Sequence, residues 1–204
     1  STGIETLIDE GARVINMSLG APGTVLSDDW SSILSGVVAD PASEGAIFVK
    51  AAGNEGAVQG DNVAWDSREA LERLILVGAT GVDGSIASWS NTPGEACATF
   101  GGSCTESDKL KYQYLVAPGE FILVSDGQGG VMRQAGTSFA APLVSGTAAL
   151  VHGDLWGGNV VWNGERASLI DPCAYYGDRE VDVAAMTVFD TPPEAFFDRL
   201  ELSP

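Results

Sequence analysis

The chain has 204 residues, 45% of them hydrophobic and 19% charged, with a formal net charge of −18. That composition belongs to a globular chain long enough to bury a sizeable core, not to a disordered one. The charge argues against nucleic acid or an anionic membrane as partner, since both would repel it, and no apolar run reaches membrane-spanning length.

The opening STGIETLIDEG has no basic stretch followed by an apolar one, so it is not a signal peptide. It reads as part of an amphipathic helix with Ile4, Leu7 and Ile8 on one side, and the chain is expected to begin inside a fold. RVINMSL (13–19) is a buried-strand run that ends at Gly20, Ala21 and Pro22. Residues 29–44 allow a helix, ragged near Pro41, and GAIFVKAAG (45–53) is a second strand closed by Asn54. LERLILVGAT (71–80) contains a third strand, IASWSN follows, and a loop runs to about residue 110. YLVAPG and FILVSD (114–126) are further short strands. GTSFAAPLVSGTAALV (136–151) is small and apolar throughout, which predicts a buried helix. Strands alternating with helices predict an α/β fold with a parallel sheet and flanking helices. Composition shifts after Val151: a hairpin signal at Asn163-Gly164, a strand at ASLID and a helix-like stretch from Arg179 to Phe189 follow. Cys97 and Cys104 lie seven apart in a Gly/Ser-rich loop and are able to form a local disulfide if the chain is exported; Cys173 is left over.

Two stretches carry chemistry. GTSFAAP places Ser138 at a tight turn opening a helix, where the dipole favours developing negative charge, although a serine there is also an ordinary helix cap. VINMSLG, AAGNEG, VGAT…ASWSN, VAPG and GTSFAAP stand in the order and spacing of the subtilisin-like serine proteases, which residues 1–151 resemble. The resemblance implies a partial subtilisin-like sheet, with Ser138 as nucleophile and Asn54 as the oxyanion-hole amide. It also implies that Ser18, Leu19 and Gly20 hold a peptide or protein substrate. No cofactor is implied for this part, and structural calcium is left open.

The family's triad aspartate lies in a DTG-type motif and its histidine in an HGTHVAG-type helix, both upstream of VINMSLG, and this sequence contains neither. A serine without a base is a poor nucleophile. His152, the one histidine, lies 14 residues past Ser138 on the same predicted helix, roughly 21 Å away at ~1.5 Å per residue. Peptide hydrolysis is therefore not expected unless an upstream chain supplies Asp and His. Lys50, a strand lysine, belongs with the AAGN motif that it directly precedes.

The second stretch, HGDLWGGN, has the spacing of a phosphotransferase catalytic loop, and ASLID ends in a carboxylate farther on. HGDLWGGN…LIDPCAYYGDREVDVAAM resembles the fructosamine kinases of the aminoglycoside-phosphotransferase-like group, over residues 148–204. The resemblance implies a short kinase C-lobe-like α+β tail (152–204), with Asp154 as catalytic base and Asn159 and Asp171 as magnesium ligands. It implies ATP as cofactor and a sugar-amine substrate. The nucleotide-binding lobe does not precede it, so this activity too is expected to be absent as the chain stands. The two signatures meet near Ala148 to Val151, as a join by recombination, by design or by an assembly error. The protease resemblance suggests secretion and the kinase resemblance a cytoplasmic protein.

Overall fold

Strand residues of the central sheet alternate between two apolar layers. In the computed structural model, Ile15, Met17, Phe48, Leu74 and Leu76 point to one core, and Val49, Ala51, Val77 and Ala79 to another. A sheet buried on both faces needs near-continuous apolar strands, which is why IFVKA and LILVGAT carry almost no polar residue. The structure describes residues 3–148 and, as backbone, the strands at 150–151, 160–162, 167–169 and 175–176.

The chain divides into two compact units, Ser1–Ala148 and Ala149–Pro204. In the first, α1 (Gly3–Asp9) leads to β1 (Val14–Met17), α2 (Asp28–Val38) and β2 (Ile47–Ala51). A short β3 (Val63–Ala64), α3 (Arg68–Glu72) and β4 (Leu74–Thr80) follow. Next come β5 (Ala98–Thr99), β6 (Tyr114–Pro118), β7 (Ile122–Ser125), β8 (Val131–Gln134) and α4 (Thr137–Ala148). The main sheet has the order β1-β2-β4-β6 and every pairing in it is parallel. One face packs under α2 and α3, and α4 lies across the other. This is the expected α/β architecture.

Helix α2 buries Ser31, Leu34, Val37 and Val38, the one-sided spacing of an amphipathic helix, and Asp28 and Asp29 suit the positive end of its dipole. It stops at Val38, and Pro41 opens a separate 3-10 turn, so the expected helix over 29–44 is broken where proline removes a donor. In α1, Ile8 is buried and Ile4 packs against the core, but Leu7 is exposed, contrary to the expected one-sided face. The β7–β8 hairpin is antiparallel and separate from the main sheet, and β8 was not foreseen. Cys97 and Cys104 form a disulfide. The final helix is shorter than expected. It ends at Ala148, soon after Gly146, a poor helix former, and Leu150–Val151 is a strand (β9). The helix therefore ends before His152, and the spacing of roughly 21 Å expected along it from Ser138 does not apply.

In the second unit, β10 (Val160–Trp162) and β11 (Ala167–Leu169) form the expected antiparallel hairpin, and β9 pairs with β12 (Tyr175–Tyr176). His152, Asp154, Asn159, Asn163, Gly164, Asp171, Cys173 and the stretch 179–189 lie outside the described residues.

Candidate active site

Three segments converge at the C-terminal end of β1 and β2. Ser18, Leu19 and Gly20 extend β1, Gly53 and Asn54 follow β2, and Thr137 and Ser138 begin α4. Together with Ala21, Pro22, Ala51 and Glu55 they line a cleft of about 210 Å³. All five first-unit residues singled out in the sequence therefore share one cleft, at the strand ends where open α/β sheets place their ligands.

The Asn54 side chain is held by one end. Its Oδ1 accepts from the Thr137 backbone N–H at 2.8 Å and from Thr137 Oγ1 at 3.0 Å. Its Nδ2 is thereby left to donate elsewhere, at the N-terminus of a 12-residue helix. The Thr137 hydroxyl also accepts from Gly53 N–H at 3.1 Å. Ser138 is half-buried, and its carbonyl accepts from Ser18 Oγ at 3.0 Å. Asn16 joins the same seam, donating to Ser18 Oγ and accepting from Ser145 Oγ on α4. These bonds lock the end of β1 to the helix that carries Ser138.

Asn91 organises the Asn54 loop from below. It is fully buried, and its Oδ1 accepts from Glu55 N–H at 3.1 Å and Ala57 N–H at 2.8 Å. Its Nδ2 donates to Ala52 O at 3.1 Å and to Glu55 Oε2 at 2.7 Å. Gly53 is obligatory here: its φ is +104°, and a Cβ on it would stand 2.3 Å from Asn91 Nδ2. Glu55 Oε2 also accepts from Gly23 N–H and Asn54 N–H. These donors, Gly23 first, hold its carboxyl below the usual carboxylate range despite some desolvation.

The far wall of the cleft, residues 20–26, is tied down by buried polar side chains. Gln59 Oε1 accepts from Val25 and Leu26 N–H, and its Nε2 donates to Leu26 O. Lys50 Nζ donates to Val25 O at 2.9 Å and to Ala51 O at 3.0 Å, and burial lowers its pKa to about 8. Asn91, Gln59, Glu55 and Thr137 were not singled out from the sequence. Asn91 closes ASWSN and Thr137 stands inside GTSFAAP, so both lay in quoted motifs; Gln59 had no signal, because its partners are set by loop folding alone.

Among the described residues, no three His, Cys, Asp or Glu side chains cluster as a metal site, and no helix is long and apolar enough to cross a membrane. Asp154, Asn159 and Asp171 lie outside the described residues.

A serine at a helix N-terminus, beside an asparagine amide pinned by its oxygen, can stabilise an anion forming on the serine's reaction partner. The subtilase family model matches residues 1–167, and the chain belongs to that family. It is 35% identical to an extracellular basic protease of Dichelobacter nodosus, over 69% of this chain and 20% of that protein. A PatG macrocyclase structure in complex with peptide shares the fold, with a TM-score of 0.50 at 24% identity, over 71% of this chain and 38% of that one. A short segment, 25% of the chain, is 51% identical to a probable ketoamine kinase of Synechocystis sp., covering 18% of that protein. The matches thus cover about a fifth of the length of each of these two curated relatives.

Proposed function

We propose that the first unit is the nucleophile-bearing part of a serine endopeptidase, with Ser138 as nucleophile and Asn54 Nδ2 as oxyanion donor. An extended peptide lies along Ser18, Leu19 and Gly20. The observation that carries the reading is the double anchoring of Asn54 Oδ1 on Thr137, which leaves the amide nitrogen to donate elsewhere. The family's DTG-type aspartate and HGTHVAG-type histidine motifs do not occur in these 204 residues, so in this reading a further polypeptide supplies the general base and its aspartate, and the 204 residues are inactive alone. The Cys97–Cys104 bridge and the D. nodosus relative's extracellular description favour an exported protein. The test supplies a subtilase fragment carrying the family's aspartate and histidine motifs and follows cleavage of a fluorogenic peptide. Cleavage that requires both components and disappears in Ser138→Ala supports the reading; cleavage unchanged by that substitution overturns it.

A second reading rests on the ketoamine-kinase match. Asp154 would take the proton of a sugar-amine hydroxyl, while Asn159 and Asp171 offer hard oxygen donors suited to magnesium with ATP. Magnesium-dependent nucleotide binding that is lost in Asp171→Ala supports it, and equal binding by the variant overturns it.

A further inference from the structure

Lys50 is a buried cation with no carboxylate partner. The residue is 1% exposed, and no acidic side chain stands within ion-pair distance of it among the described residues. A charge in that position is costly unless paired. Its contacts are two carbonyls, Val25 O and Ala51 O, and the Trp30 ring, whose centroid lies 5.8 Å from Nζ. An ammonium has three N–H donors, and the third has no partner among the described residues.

The location of this charge gives it a use. Ala51 and Gly20 both line the cleft. A Cβ built on Gly20 would stand 3.1 Å from Lys50 Nζ, so the ammonium occupies the place of the side chain that Gly20 lacks. Gly20 itself lines the cleft, so the ammonium stands beside a cleft residue that carries no side chain. Glu55, the acidic residue of the lining, already accepts from Gly23, Asn54 and Asn91 and offers Lys50 no bond.

We propose that the cleft selects peptides whose inserted side chain ends in a carboxylate, aspartate or glutamate, and that Lys50 is the residue that reads it. The inference rests on the reading that this cleft takes an extended peptide. An incoming carboxylate supplies the partner that the buried ammonium lacks, and accepts its third N–H. Asparagine or glutamine fills the same space without the charge, while a lysine side chain meets a like charge.

The test uses the full chain and fluorescein-labelled tetrapeptide amides, identical except for a last residue of Asp, Asn, Phe or Lys. Affinities are measured by fluorescence anisotropy at pH 7 and moderate salt. A hydrogen bond to a charged group is worth roughly ten- to a hundredfold in affinity, so the Asp peptide is expected to bind at least about tenfold tighter than the Asn peptide. In folded Lys50→Met the two bind alike. The chain's charge of −18 repels acidic peptides generally, so it cannot create this preference. Lys50→Gln, which keeps polar contacts to the two carbonyls, serves if the methionine variant does not fold. Peptides that bind without an acidic preference, or a preference that persists without Lys50, overturn this inference and leave the peptide-binding reading in place. If no peptide binds, both fall.

Discussion

Replacing Lys50 with methionine should change how stability depends on pH, with a crossover set by two opposing effects. The ammonium titrates near pH 10.5 in the unfolded chain and at about 8 in the fold, where burial disfavours its charge. Between those values the unfolded state binds more protons, so the lysine protein gains stability as pH rises through that window. The full gain is roughly 3 kcal/mol. Methionine removes the charge but leaves the Val25 and Ala51 carbonyls without this donor, each costing about 1–3 kcal/mol if buried and unsatisfied. Near pH 7 the burial cost of the charge and the loss of its bonds offset one another to within a few kcal/mol. Near pH 10.5 only the loss of bonds remains, and the variant should be weaker by about 3 kcal/mol relative to its standing at pH 7. Urea unfolding of both proteins at half-unit pH steps from 7 to 10.5 measures this, and groups common to both cancel in the difference. A difference that does not change with pH would refute the placement of Lys50 as a buried, unpaired cation.

Thr137→Val keeps the helix start but removes the hydroxyl shared by Asn54 Oδ1 and Gly53 N–H, and should cost about 1–3 kcal/mol in urea unfolding. Asn91→Leu strips four bonds from the 52–57 loop and should cost more than Thr137→Val in the same assay. Reduction of Cys97–Cys104, a loop closed over a separation of seven residues, should lower stability by roughly 2.5 kcal/mol, read as a shift in the urea midpoint with and without reductant. Asp108 is held at about 2 by Arg68 and Thr105, against 3.8 for an ordinary aspartate. Its contribution is therefore complete above about pH 4 and is lost as pH falls toward 2, and Asp108→Asn should flatten acid unfolding in that range.

The sheet was legible because its strands are mostly apolar: β1, β2 and β4 carry one polar residue each, Asn16, Lys50 and Thr80, and strands of that kind alternate with α2 and α3 or their loops. Ser138, Asn54 and Ser18 to Gly20 were legible from motifs, and one cleft gathers them. The supporting shell was not. Gln59 reaches Val25 and Leu26 across more than thirty residues, and Asn91 reaches Glu55 across 36; nothing local in the sequence marks such partners. Lys50 was assigned to the AAGN motif as a strand residue, yet its significance depends on Gly20, which offers it room only once β1 and β2 are paired. The helix end was misplaced because AALV suits a helix and a strand equally, and the pairing of Leu150 and Val151 with Tyr176 and Tyr175 is not a local property.

The central claim is that Ser138 and Asn54 form a competent half of a serine-peptidase site. A fluorophosphonate probe, followed by mass-spectrometric mapping, tests it most directly in the presence of a fragment carrying the family's aspartate and histidine. The account predicts a single label on Ser138, absent without the fragment and much slower in Asn54→Leu. A label on another residue, or equal labelling of the Asn54→Leu protein, would contradict it.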